Sequence, residues 1–287
     1  MSPRSQLISF IAITFSLSIL LSLIVGLTGG HESRFIWLQF AAMPIPALAV
    51  LIMNSVFKAP VIETNWVWFP LRWLPLALFL MPVVIHMVCL PLMIFLNRGS
   101  LPWKPDGLGW GPMTTGGLVF RIIFNAVAGV IIVSLFAFFE EIGWRAWMLP
   151  RLIKRFNVRR GVLIGAVIWA LWHLPFMLSG ILFIKNVPAY WMVLINPFGI
   201  IGAGIVLSWF WLKTKNIWLV SIAHGALNNW GQYAFKFMQD DTTDPSFRDV
   251  WLLIGVNVSL LMLGVVILIS LKNNSYQATS TTGFPGD

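Results

Sequence analysis

Two adjacent carboxylates, Glu140 and Glu141, end one of the most apolar stretches of the chain, LVFRIIFNAVAGVIIVSLFAFFEEIGWRAWML. A carboxylate carried into a membrane helix costs about 2.5–3.5 kcal/mol on insertion scales, so such residues are rare and usually functional. The chain has only ten acidic residues, and the others (Glu32, Glu63, Asp106, Asp240, Asp241, Asp244, Asp249, Asp287) fall in stretches that read as loops or tails. Neighbouring positions on a helix point about 100° apart, so the two carboxylates are expected to serve different tasks. Arg145 lies four residues beyond Glu141, on the same face. A Glu141–Arg145 ion pair would neutralise one carboxylate within its own helix. Glu140 would then have to be satisfied by a water or by another helix, which marks it as the chemical group and the pair as support. The alternative is that both carboxylates merely hold helices together.

Two further apolar segments carry polar groups. In GVLIGAVIWALWHLPFMLSG, His173 sits among Trp169, Trp172, Leu174 and Phe176, with Pro175 just after it. A lone histidine beside tryptophan is more often packed and hydrogen-bonded than catalytic. In NIWLVSIAHGALNNWGQYAF, His224 and Asn228 are four residues apart and share one face, while Asn229 points elsewhere, toward a neighbouring helix. An imidazole and an amide on one stripe could grip a water, a substrate carbonyl or a metal, or make interhelical contacts. Of the other histidines, His31 reads as a loop residue and His86 stands alone.

Taken together, a carboxylate, two imidazoles and an amide delivered by three helices can activate water. Glu140 could take a proton from water directly or through one histidine. The remaining histidine and Asn228 could donate to the oxyanion of a tetrahedral intermediate. The depths agree: at about 1.5 Å per residue, Glu140 lies about 13 Å back from a helix end near Leu149, and His224 a similar distance in from Lys215.

The elements that must position these groups are membrane helices. The chain of 287 residues is 58% hydrophobic and 10% charged, with a mean hydropathy of +0.84. A soluble domain is typically about 25% charged. The fold class is therefore all-α: a polytopic membrane protein with a polar cavity open toward the cytoplasmic side. A crossing needs about 20 apolar residues, and eight segments meet that rule: 7–27, 35–56, 73–96, 118–149, 161–180, 190–212, 217–236 and 250–271. The first is read as a retained span rather than a secretion signal. Prolines at 44, 46, 75, 82 and 91 predict kinks. The end of the fourth span, Ile142 to Leu149, is expected to run out along the interface. Residues 1–272 read as one membrane domain and 273–287 as a disordered polar tail.

The basic residues set the orientation. With a cytoplasmic N-terminus, most Lys and Arg residues, including the whole Arg151–Arg160 cluster, lie inside, and an even number of spans puts the C-terminus there too. The formal net charge of +9 is carried by loops between apolar spans, so anionic lipid head groups at the Arg151–Arg160 loop are the expected partner, and nucleic acid is not. The lone Cys89 excludes an internal disulfide framework and a cysteine-rich zinc cluster.

The ordered set EEIGWR (Glu140 to Arg145), WALWH (Trp169 to His173) and HGALN (His224 to Asn228) resembles the intramembrane CAAX proteases and bacteriocin-processing proteins, the type II CAAX prenyl endopeptidase-like family. That family's pattern is Glu-Glu-x-x-x-Arg, Phe-x-x-x-His and His-x-x-x-Asn, and the match covers residues 118 to 236. Trp169 stands where the family usually has Phe, an exchange expected to leave the catalytic groups untouched but to alter pocket shape. The resemblance implies an eight-helix glutamate-type endopeptidase acting on a membrane-associated peptide or protein, in eukaryotic members one with a prenylated Cys-a-a-X C-terminus. It implies Glu140 and His173 as the water-activating pair, His224 and Asn228 as oxyanion donors, and Glu141 and Arg145 as structural support. No cofactor is expected. Glu140, His173 and His224 could hold zinc, but His-Glu-x-x-His spacing is absent. Gly-x-Ser-Gly is absent too, and no aspartate is expected inside a span. Two other functions stay open: a non-proteolytic scaffold or bacteriocin-immunity protein that binds peptides in the same cavity, and a small transporter.

Overall fold

The computed structural model describes residues 2–58, 64, 66, 70–96, 114–237 and 244–272. The tail at 273–287 expected to be disordered, together with Glu63, Asp106, Asp240 and Asp241, lies outside them. The described residues are helical, with no strand: α1 (Pro3–Leu27), α2 (Gln39–Ala42), α3 (Ile45–Phe57), α4 (Leu74–Leu96), α5 (Thr115–Phe124), α6 (Val130–Glu141), α7 (Leu149–Phe156), α8 (Val158–Leu178), α9 (Ala189–Thr214), α10 (Ile217–Phe237) and α11 (Pro245–Ser270). Two π-helical segments, Asn125–Gly129 and Ile142–Met148, join α5 to α6 and α6 to α7. The protein is an all-α polytopic membrane protein.

Six of these stretches are long and apolar enough to cross a membrane, and a bent pair, Ile36–Ala42 and Ile45–Phe57, meeting at 47°, makes a possible seventh. The expected seventh span, 217–236, is present as α10 but is too polar to qualify. The reason is local: His224, Asn228 and Asn229 interrupt its apolar run. A helix packed on α4, α6 and α9 need not be lipophilic on every face.

Caps fix where the site helices begin. Asn157, in the left-handed region at φ 74°, accepts from the Arg160 N–H and starts α8. Lys215, also left-handed, turns the chain out of α9, and the Asn216 side chain accepts from the Leu219 N–H at 2.9 Å to start α10. Arg159 ties the start of α8 to the end of α11 by donating to the carbonyls of Leu271 and Ile269. One buried apolar cluster runs from Leu7 to Leu271.

Close approaches let the helices carry the site. A Cβ on Gly225 of α10 would lie 2.7 Å from the backbone N and 2.8 Å from the Cα of Ser134 on α6. Only a glycine brings those two backbones so near, and it directly follows His224.

Two expectations are corrected. Ile142 to Leu149 does not lie on the surface of the protein, as a segment laid along the interface would: Trp144, Trp147, Met148 and Leu149 are buried. Phe10 of α1 stacks on Trp147 at 4.6 Å and meets Trp144 edge-on at 5.6 Å. These bulky groups find protein rather than lipid because α1 covers them. Asp249 is not a loop residue. It lies buried in the second turn of α11, bonded to Arg248 Nε at 2.8 Å and to Asn186 Nδ2 at 2.7 Å, and those two partners satisfy its charge. An aspartate is therefore present within a candidate span, Ser246–Ser270.

The Gly225 contact makes a paired prediction. Gly225→Ala overpacks the α6–α10 contact and lowers stability by about 1–3 kcal/mol. Gly231→Ala on the same helix, where an added Cβ meets nothing within 4 Å, leaves stability unchanged or raises it by up to about 1 kcal/mol. Thermal unfolding in detergent measures both.

Candidate active site

The two carboxylates stand at the junction of α6 with the π segment Ile142–Met148, and each addresses a different helix. Glu140 turns to α8, where its Oε2 accepts from the Trp169 indole N–H at 3.0 Å. Glu141 turns to α10, where its Oε1 accepts from His224 Nδ1 at 2.7 Å. The same oxygen accepts from Arg145 Nη1 at 2.8 Å. All four of Glu140, Glu141, Arg145 and His224 are at most 3% exposed. The angular separation of adjacent helical positions thus gives the carboxylates separate tasks, as their spacing predicts. π segments are frequent at functional sites, and this one lets Gly143 approach α3, where an added Cβ would lie 2.9 Å from the Pro46 carbonyl carbon.

Trp169 is the centre of the cluster. Besides its bond to Glu140, its ring lies under the Arg145 guanidinium at 4.3 Å. It meets His173 edge-on at 5.1 Å and His224 at 5.3 Å. His173 is half-buried. Its Nδ1–H donates to the Trp169 carbonyl one turn back, at 2.8 Å, and Trp172 flanks its ring at 4.9 Å. Trp172 in turn donates to Ser18 Oγ of α1 at 2.6 Å, which fixes that part of α8.

A carbonyl or carboxylate oxygen only accepts, so both histidines carry a proton on Nδ1. A neutral ring so protonated has an accepting Nε2, and an imidazolium donates from both nitrogens. Asn228 sits half-buried one turn beyond His224 on the same face of α10. Asn229 points away and donates to the Asn125 carbonyl at 3.2 Å.

The site residues named from the sequence come together in part. Glu140 lies within electrostatic range of Glu141, Arg145 and His224. His173 lies within range of His224 and Arg145. It makes no hydrogen bond to Glu140 among the described residues; the Trp169 ring touches both. No three His, Cys, Asp or Glu side chains among the described residues converge closely enough to hold a metal ion.

Two features were missed from sequence. Glu141 bonds His224 as well as Arg145, a contact between residues 83 positions apart. Trp169, expected to leave the candidate catalytic groups untouched, bonds Glu140 through a group that phenylalanine lacks, the indole N–H. The available signal was the unusual polar donor at a buried aromatic position.

Arg145 is buried and ion-paired with Glu141. Glu141→Gln leaves that charge uncompensated and destabilises the protein by about 3–5 kcal/mol. Glu140→Gln, which removes no ion pair shorter than 4.0 Å, keeps stability nearer to wild type. The order of the two melting temperatures, Glu141→Gln well below Glu140→Gln, is the check.

Residues 121–230 match the family described as type II CAAX prenyl endopeptidase Rce1-like. The chain is 27% identical over 177 residues to CAAX prenyl protease 2 of Methanococcus maripaludis, covering 59% of this chain and 59% of that protein. The matched segment holds α6, the π segment Ile142–Met148, α8 and the His224–Asn228 part of α10, which carry Glu140, Glu141, Arg145, Trp169, His173, His224 and Asn228. The likeness is thus to an Rce1-like domain of the type II CAAX prenyl endopeptidases, over residues 121–230.

Proposed function

We propose that the protein is an intramembrane endopeptidase of the glutamate type, hydrolysing a peptide bond of a membrane-associated protein or peptide. The observation that carries this reading is Glu140: a buried carboxylate with one oxygen held by Trp169, within electrostatic range of a histidine pinned by a second carboxylate. Glu140 takes a proton from water as the water oxygen attacks the scissile carbonyl carbon. The C–N bond then breaks, and Glu140 returns the proton to the leaving amine. His173 accepts from the same water through Nε2, the role open to a ring whose Nδ1–H is committed to a carbonyl. His224, as imidazolium, and Asn228 donate to the oxyanion. Glu141 and Arg145 hold His224 in place. The reaction as written uses no metal and no cofactor.

The substrate reaches the site past His173 and Asn228, its two half-buried members. The relative's name, a CAAX prenyl protease, supports a lipidated Cys-a-a-X C-terminus as the substrate class. The exposed Lys154, Arg155, Arg159 and Arg160 where α7 meets α8 support a cytoplasmic side for that turn, against anionic head groups.

The test is cleavage of a quenched peptide ending in a prenylated Cys-a-a-X sequence, by protein reconstituted in lipid. The wild type releases the last three residues. Glu140→Gln and His173→Ala lower kcat/KM by about 10²–10⁴, and Asn228→Ala lowers kcat by about 10²–10³. Full activity in both of the first two variants contradicts the assignment. A wild type that binds the peptide without cutting it, with binding intact in Glu140→Gln, shows a peptide-binding scaffold instead.

A further inference from the structure

We infer that Trp169 is a positioning residue for Glu140, setting turnover through its indole N–H; this rests on the proteolytic reading above. The N–H reaches Glu140 Oε2 at 3.0 Å, and both residues are 3% exposed. No other hydrogen bond to Glu140 is made by the described residues. The indole therefore selects which carboxylate oxygen is occupied and which, Oε1, is left to the water. A base must hold its reacting oxygen within hydrogen-bond reach of the proton it takes, so a carboxylate free to turn about its terminal bond loses part of its effectiveness.

The indole itself cannot turn. Arg145 covers one face at 4.3 Å, and the two imidazoles meet it edge-on at 5.1 and 5.3 Å, with interplanar angles of 85° and 90°. Glu141 holds Arg145 and His224 in turn. The restraint on Glu140 thus runs from α10 and the π segment through one ring on α8. Phenylalanine at 169 would keep a ring against Arg145 and the histidines but would leave buried Oε2 without its donor.

The experiment separates the N–H from the ring. Trp169 is replaced by Phe, and separately by β-(3-benzothienyl)alanine, which puts sulfur in place of the N–H and preserves shape and stacking. Cleavage of the prenylated Cys-a-a-X peptide is followed as kcat and KM. The Glu140 carboxylate stretch, assigned by its loss in Glu140→Gln, is followed by infrared difference spectroscopy. Both replacements are expected to lower kcat by about tenfold or more, the effect of losing a hydrogen bond to a charged group. KM should stay nearly constant, the benzothienyl variant should melt as the wild type does, and the carboxylate band should shift. In the Glu140→Gln background neither replacement should lower the residual rate further. Wild-type kcat and an unmoved band in both variants, with Glu140→Gln inactive, overturn the inference and leave the protease reading standing. Full activity in Glu140→Gln overturns the assignment of the base, and the role of Trp169 falls with it.

Discussion

One carboxylate oxygen, Glu141 Oε1, holds the site together. It accepts from Arg145 within its own rod at 2.8 Å and from His224 on another helix at 2.7 Å. A buried guanidinium without a partner is strongly destabilising, and a buried imidazole without an acceptor has no fixed orientation. Glu141 answers both needs at once. Arg145 then lies over Trp169, Trp169 donates to Glu140, and the Trp169 ring closes back against His224. The contacts form a closed ring through α6, the π segment, α8 and α10.

That ring explains several features of the surrounding fold. α10 carries too much polarity to face lipid, and the structure packs it on α4, α6 and α9. Gly225 next to His224 brings α10 against Ser134 of α6, two turns before the carboxylates. Asn229 and Asn125 join the same two rods again at the other π segment. On α8, Trp172 is tied to Ser18 of α1, so the histidine beside it is braced from outside the ring. Polar groups in an apolar body need satisfied partners, and here the partners are also the groups that position the chemistry.

Much of this was legible in the sequence, because a membrane protein places few polar residues in its spans. Glu140, Glu141, Arg145, His173, His224 and Asn228 stood out against apolar neighbours, and helical geometry alone separated the two carboxylates and paired Glu141 with Arg145. The Glu141–His224 bond was not legible, since helical periodicity says which residues share a face but not which helix that face meets. The burial of Ile142 to Leu149 depended on α1 covering it, a tertiary fact. Asp249 was misread because its partner Asn186 lies 63 positions away. Trp169 was read by size and aromaticity, which hide its one hydrogen-bond donor.

The most direct measurement is nitrogen-15 NMR of histidine-labelled protein in lipid, with the His224 signals assigned by substitution. The account predicts a protonated, hydrogen-bonded Nδ1 on His224 whose signal moves sharply in Glu141→Gln. An Nδ1 that carries no proton, or a signal indifferent to Glu141→Gln, would contradict it.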